Sequence, residues 1–261
     1  MTSFGFVGTG ALVEAVIRGL QKTEARAHRF LLSPRSEERS RALAAAFANT
    51  ERLESNEAVV AQSDIVFLGV LPKQLGDLQG LPFRPDQPVV SFLAGAGLDA
   101  VRAAVAPASR VVRVIPLPGI EFGKGAILMM PRDAEIERLF APVGEVVIPE
   151  SEQDFEVLSI GSGLMSAHFA LQNTVIGWMR DRGIAPALAS RHVRALYSGL
   201  GELALEMDRR GDPLPPEEYE TKGGINEMAR SFLQSEGWFE TMARAMDRVE
   251  EHLRTLARPK S

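Results

Sequence analysis

Apolar residues follow two different periods along this chain. Through about residue 150, short and nearly continuous apolar runs alternate with stretches where apolar positions recur every three to four residues; beyond that only the helical period remains. Residues 4–7, 30–32, 65–70, 89–93 and 110–115 read as buried strands, with 125–130 and 145–148 as the last two. Between them, Leu12, Val16, Ile17 and Leu20 share a helix face. Ser36, followed by Glu37 and Glu38, and Asn56 are placed as caps of the next helices, and Asp99 starts another. Strands alternating with helices of about ten residues predict an α/β, doubly wound parallel sheet of the Rossmann type.

Composition shifts at residues 149–152, which sets a boundary between residues 1–152 and an all-α domain over 153–261. The first helical segment, 154–182, is apolar on nearly all sides through Leu158, Ile160, Leu164, Met165, Phe169, Val175, Ile176 and Trp178, which predicts burial. Gly161, Gly163 and Gly177 lie within it. A second helix spans 186–207, and a last one carries Trp238, Met242, Met246, Val249, Leu253 and Leu256 on one face. A domain of ~110 residues cannot bury so much apolar surface alone, so a homodimer, C₂ at the least, is expected.

Composition narrows the function. The chain has 261 residues, a net charge of -5 and no cysteine, which excludes disulfides, thiolate metal sites and a cysteine nucleophile. His28, His168, His192 and His252 are scattered without metal-ligand spacing, so no metal is expected. Interspersed charge argues against nucleic acid as a partner. No apolar run spans a bilayer and a strand begins near residue four, so the expected location is cytoplasmic.

The organising motif is Gly8-Thr9-Gly10-Ala11-Leu12, set between the first strand and the first helix. A Gly-x-Gly turn there brings backbone N–H groups and a positive helix end to one point, which suits a pyrophosphate. Val13 stands at the third fingerprint position, where Gly or Ala is usual, and predicts a helix set slightly further from its strand. After the second strand come Ser33, Arg35 and Ser36 with no carboxylate before Glu37. An acidic residue there would bond the ribose 2′-hydroxyl of NAD, whereas Arg35 can grip the 2′-phosphate of NADP. NADP is the expected cofactor.

Further motifs follow in order: Val70-Leu71-Pro72; Ser91 before Ala94-Gly95; Arg113-Val114 and Pro116; Gly161-Ser162-Gly163; and the 221–226 stretch Thr-Lys-Gly-Gly-Ile-Asn. Together with the Gly-x-Gly turn and the Ser33–Ser36 stretch, this series resembles the pyrroline-5-carboxylate reductase family over almost the whole chain. The resemblance implies an NADPH-dependent reductase of a small, carboxylated cyclic imine. It adds Val70, Leu71, Pro72, Ala94 and Gly95 to the cofactor site and places Ser162, Gly163, Gly223 and Gly224 at the substrate. It matches Thr221 to a carboxylate-binding serine and Asn226 to a threonine near the imine nitrogen, and in that family this helix end comes from the partner subunit. The chain departs from the family pattern at Leu71 for Lys, Leu117 for Asn, Leu164-Met165-Ser166 for Pro-Ala-Tyr, and Ile225-Asn226 for two threonines. The cofactor half carries over better than the pocket.

The residues support the same chemistry. Gly223 and Gly224 can present N–H groups to a carboxylate, Thr221 adds a hydroxyl and Asn226 a donor and an acceptor; the plainer alternative makes Thr221 a helix cap. A protonated imine needs little acid catalysis, while a ketone needs a strong proton donor. Related hydroxyacid dehydrogenases keep lysine and asparagine where this chain has Ala167 and Leu171, so imine reduction ranks above ketone reduction. His168 is the one candidate acid on that helix, against the alternative of a packed, hydrogen-bonded histidine. Two other functions stay open: the same scaffold on a different imine or ketone, and a catalytically silent NADP-binding regulator.

Overall fold

The computed structural model describes residues 1–257, with side-chain surroundings through Thr255; Leu256 of the expected apolar stripe lies outside that described set. It divides into two compact units, Met1–Ser159 and the chain from Ile160 onward.

The first unit is an eight-stranded sheet. Its strands are β1 (Ser3–Val7), β2 (Arg29–Leu32), β3 (Thr50–Arg52), β4 (Ile65–Leu68), β5 (Val89–Ser91), β6 (Val111–Pro116), β7 (Ala126–Met130) and β8 (Glu145–Val147), in spatial order β3-β2-β1-β4-β5-β6-β7-β8. Every pair is parallel except β6 with β7. That antiparallel pair is the one exception to the doubly wound parallel sheet expected from the sequence. The short connection through Pro118–Phe122 has no room for a crossover helix, so the chain turns back on itself. Strand β3 is too short and polar (Thr-Glu-Arg) to register as an apolar run.

Strand alternation splits the core into two faces. Phe4, Phe6, Phe30 and Phe67 point to one side, where the Phe6 and Phe67 rings stack with centroids 4.7 Å apart. Helices α1 (Ala11–Leu20) and α5 (Ala134–Phe140) and Leu43 of α2 (Glu37–Ala46) cover it. Val7, Leu31, Val66, Leu68 and Val89 face the other side, under α3 (Asn56–Gln62) and α4 (Leu98–Ala104).

Two helix starts differ from the sequence expectation. Ser55, not Asn56, caps α3, its Oγ accepting the Ala58 N–H at 3.1 Å. Helix α4 begins at Leu98 after Gly97, one residue before Asp99. Ser36 does occupy the N-cap of α2, but with left-handed backbone (φ 57°) and no capping bond from its side chain.

The second unit is helical: the end of α6 (Glu152–Gly161), a tight turn Ser162–Leu164, α7 (Met165–Arg180), α8 (Pro186–Arg210), α9 (Ile225–Ser235) and α10 (Trp238–Ala257). The single long helix expected over 154–182 is therefore two, separated at Gly161-Ser162-Gly163, where glycine lowers helix propensity. One chain alone does not cover the apolar surface expected to be buried. Val157, Leu158, Met165, Phe169 and Trp178 are exposed, and of α7 only Gln172 is buried. Among the described residues no helix is long and apolar enough to cross a membrane.

Candidate functional site

The sheet order dictates where a ligand groove forms. From β1 the chain runs through β2 and β3 on one side, then crosses to β4 on the other, so the order reverses beside β1. Loops leaving β1, β2, β4 and β5 all open at the carboxyl ends of parallel strands around that reversal. These loops, with the first residues of the helices that follow them, hold Gly8 to Leu12, Ser33 to Ser36, Val70 to Pro72, and Ala94-Gly95.

At the centre, Gly8 has φ +91°, and a Cβ there would meet the Gly69 carbonyl at 2.8 Å. Only glycine fits. Its N–H is not bare: it donates to Ser33 Oγ at 2.9 Å, and Thr9 Oγ1 lies 3.4 Å from the Ser33 carbonyl. Ser33 and Thr9 are both buried, so they shape the turn from beneath rather than lining the groove. The free donors are instead the N–H groups at the start of α1, from Gly10 through Leu12, which have no partner within the helix. Space above the turn is open, since a Cβ on Gly10 or Gly95 would meet nothing within 4 Å. A pyrophosphate fits this surface through backbone donors and the helix dipole.

Three arginines surround the start of α2. Arg39 pairs with Glu14 at 3.3 Å, and Arg52 bonds Ser40 Oγ at 3.2 Å and the Pro34 carbonyl at 3.4 Å. Arg35 reaches Asp77 Oδ2 at 3.5 Å. Glu37, the first carboxylate, is bound by Arg41 at 2.6 Å, and that bond holds its carboxyl below the usual range. Arg35 is thus the cation available at the end of β2, with Ser36 exposed beside it. Leu71 and Pro72 are exposed beyond β4, Val70 is half-buried, and Ala94 and Gly95 (φ +81°) are exposed beyond β5. Asp77 and Gly69 carried no sequence signal: one is an ordinary loop carboxylate, the other a glycine at a strand end.

In the helical unit, Thr221 does not cap α9; the N-cap is Gly224. Thr221 opens a turn closed by Gly224 N–H to the Thr221 carbonyl at 2.7 Å, with Gly223 at φ +72°. The Gly223 N–H donates to the Glu227 carboxylate, leaving the first N–H groups of α9, at Ile225 and Asn226, as the donors without an intrahelical partner. Asn226 Nδ2 donates to the Tyr219 carbonyl at 3.1 Å, which turns Oδ1 into the outward acceptor. Arg230 clasps Glu220, one bond being 3.0 Å, and this holds the Glu220 carboxyl below its usual range. The turn is therefore braced from both sides. Ser162 and Gly163 lie in the break before α7, and a Cβ on Gly163 would come within 3.2 Å of Val249 Cγ2, so its missing side chain makes room for α10.

His168 is engaged. Its Nε2 lies 2.5 Å from Gln172 Nε2, while Arg194 donates to Gln172 Oε1 and, at 2.6 Å, to Asn173 Oδ1. With Arg194 on the amide oxygen, the amide nitrogen faces the ring and His168 Nε2 is its acceptor. It is hydrogen-bonded, as the plainer alternative has it, but the residue is exposed in this chain.

Comparison with known proteins gives a consistent set of likenesses. Residues 3–95 match a family model described as "NADP oxidoreductase coenzyme F420-dependent". The chain is 26% identical over 259 residues to pyrroline-5-carboxylate reductase of Haemophilus influenzae, covering 92% of each chain. It is 27% identical over 228 residues to that of Corynebacterium melassecola, covering 82% of this chain and 84% of that protein. Its fold matches the crystal structure of Plasmodium falciparum pyrroline carboxylate reductase with NADP bound at a TM-score of 0.81 and 17% identity, over 98% of both chains.

Proposed function

We propose that this chain is a member of the pyrroline-5-carboxylate reductase family and an NADPH-dependent oxidoreductase that reduces the carbon–nitrogen double bond of a small carboxylated cyclic imine. One observation carries the assignment. Every loop matched to the family's cofactor motifs, after β1, β2, β4 and β5, opens at the same end of the sheet, where the strand order reverses. We assign residues 1–152 to the cofactor and 153–261 to substrate and dimerisation.

Reduced nicotinamide, when bound, supplies a hydride to the electron-poor imine carbon. This chain's residues do the holding. The start of α1 takes the pyrophosphate and Arg35 the 2′-phosphate. Thr221 Oγ1 and the first N–H groups of α9 take the substrate carboxylate, and Asn226 Oδ1 accepts the N–H of a protonated imine. No side chain need titrate, because fixing the imine against the hydride donor can itself remove several kcal/mol of barrier.

The working unit is a homodimer. Ile225, Met228 and Phe232, 85%, 70% and 63% exposed, form one apolar stripe on α9 at helical spacing, and Met165, Phe169 and Trp178 expose more on α7. A monomer rarely leaves so much contiguous apolar surface in water.

Leu117, half-buried where the family has asparagine, favours a second reading in which the same site takes a less polar imine. A substrate panel followed by loss of reduced-nicotinamide absorbance tests both. Turnover with pyrroline-5-carboxylate supports the first reading, and turnover only with other imines or with ketones the second. Tight NADPH binding with no turnover would point to a regulatory protein instead.

A further inference from the structure

The ion pair between Arg35 and Asp77 does more than decorate the surface. Strand β1 lies between β2 and β4, so the loop after β2 and the loop after β4 face each other across the Gly8–Gly10 turn. Arg35 stands on the first loop. Asp77 stands on the second, in the tight helix Pro72–Leu78, and Arg35 Nη1 to Asp77 Oδ2 is 3.5 Å. The pair therefore bridges the nucleotide groove. Arg39 and Arg52, by contrast, take acceptors from α1 and from their own side of the groove, Glu14, Ser40 and Pro34. Both members of the bridge are more than half exposed (52% and 61%), so water screens the pair and it opens at little cost.

We propose that Asp77 is a specificity-determining residue that competes with the ribose 2′-phosphate for Arg35 and thereby narrows the preference for NADPH over NADH. The proposal rests on the assignment of Arg35 to the 2′-phosphate. A phosphate monoester carries about −1.5 to −2 charge near neutral pH. To meet Arg35 it must displace a carboxylate, which then remains nearby as a like charge. A dinucleotide with a bare 2′-hydroxyl meets no such conflict and can donate that hydroxyl to Asp77, the role an acidic residue plays in NAD sites. Asp77 thus weakens the phosphorylated cofactor and favours the other. Neither effect requires Asp77 to touch the nicotinamide.

The test is equilibrium titration of NADPH and NADH, read by nucleotide fluorescence, on the full-length wild type, Asp77→Asn, Arg35→Leu and the double variant. Asp77→Asn should tighten NADPH about fivefold, the scale of one exposed pair plus one like-charge contact, without tightening NADH. The gain should fall to about twofold or less in the Arg35→Leu background and shrink at about 0.5 M salt, where exposed charges are screened within a few ångströms. An equal gain with and without Arg35, or an equal gain for both cofactors, overturns the competition. No gain from Asp77→Asn while Arg35→Leu still weakens NADPH selectively overturns the role of Asp77 and leaves the Arg35 assignment standing. Loss of NADPH and NADH alike in Arg35→Leu overturns that assignment and this proposal with it.

Discussion

Val13 and Gly69 fit into one another: a Cβ on Gly69 would lie 2.1 Å from Val13 Cγ2. Val13 fills the place where the nucleotide fingerprint prefers Gly or Ala, and the missing side chain at the end of β4 is what receives it. Helix α1 can then dock on its strand with a valine fully buried beneath it.

Gly69→Ala should therefore destabilise the protein by about 1–3 kcal/mol, the usual cost of forcing a methyl into a filled core. A helical valine has one strongly preferred rotamer and cannot swing aside. Val13→Ala in the same chain should recover most of the loss, as urea unfolding of the two single variants and the double variant would show. Additive losses in the double variant would mean the two sites do not touch.

Asp133 makes stability depend on pH. Its carboxylate caps α5, accepting the N–H groups of Glu135 and Ile136 at 3.0 and 3.2 Å, and receives both Nε and Nη2 of Arg110 at 2.7 Å. The Arg110 bonds hold its carboxyl below the ordinary carboxylate range. A carboxyl lowered by folding stabilises fully above its unfolded value, about 3.9, and that contribution is lost as pH falls through the folded value. Asp133→Asn should cost about 1–2 kcal/mol at neutral pH, after discount for the partly exposed arginine. The gap between wild type and variant should close as pH drops below about 4. A gap constant from neutral to acid pH would rule out the charge as its source.

Much of the cofactor half was legible because buried parallel strands and a Gly-x-Gly turn leave signals in the residues that form them. Phe4, Phe6 and Val7, or Ile65 through Leu68, are apolar because both faces of their strands are covered. What escaped depends on partners distant in sequence. Gly69 matters through Val13 and Gly8, Asp77 through Arg35, and the hydroxyl of Ser33 serves Gly8 rather than the groove. The reversal of β7 follows from the shortness of the preceding connection, which apolar periodicity does not encode. In the helical half, the apolar surround on 154–182 predicts burial without naming what covers it, and one chain leaves Leu158, Met165, Phe169 and Trp178 exposed. The same pattern arises when a helix waits for a second copy.

That second copy gives the next prediction. The stripe Ile225, Met228 and Phe232 on α9 is mostly exposed in one chain, and a self-complementary face closes most simply as a C₂ dimer. The wild type should scatter light as a dimer or larger at micromolar concentration. Met228→Asp with Phe232→Asp should yield a smaller species, because each buries an unpaired charge in an apolar contact. A wild-type monomer removes the idea, and so does a double variant that associates unchanged.

The last prediction concerns the turn before α9. Thr221 heads it, Gly224 closes it, and Arg230 clasps Glu220 beside it, so the hydroxyl and the first helical N–H groups are held in place before any substrate arrives. Asn226 is tied to the Tyr219 carbonyl through its nitrogen, which leaves its oxygen as an acceptor. If that oxygen meets the N–H of a protonated imine, the contact strengthens as the imine is oriented for reduction. Its loss then falls on turnover: Asn226→Ala should lower kcat at least about tenfold, near 1.4 kcal/mol of transition-state stabilisation, with NADPH affinity nearly unchanged. Thr221→Val removes a contact made equally before and during reduction, so it should chiefly raise KM for a carboxylated substrate and spare an uncarboxylated one. Arg230→Met acts through the turn and should raise KM without altering NADPH binding. Wild-type kinetics in both Thr221→Val and Asn226→Ala would place the substrate elsewhere in the protein.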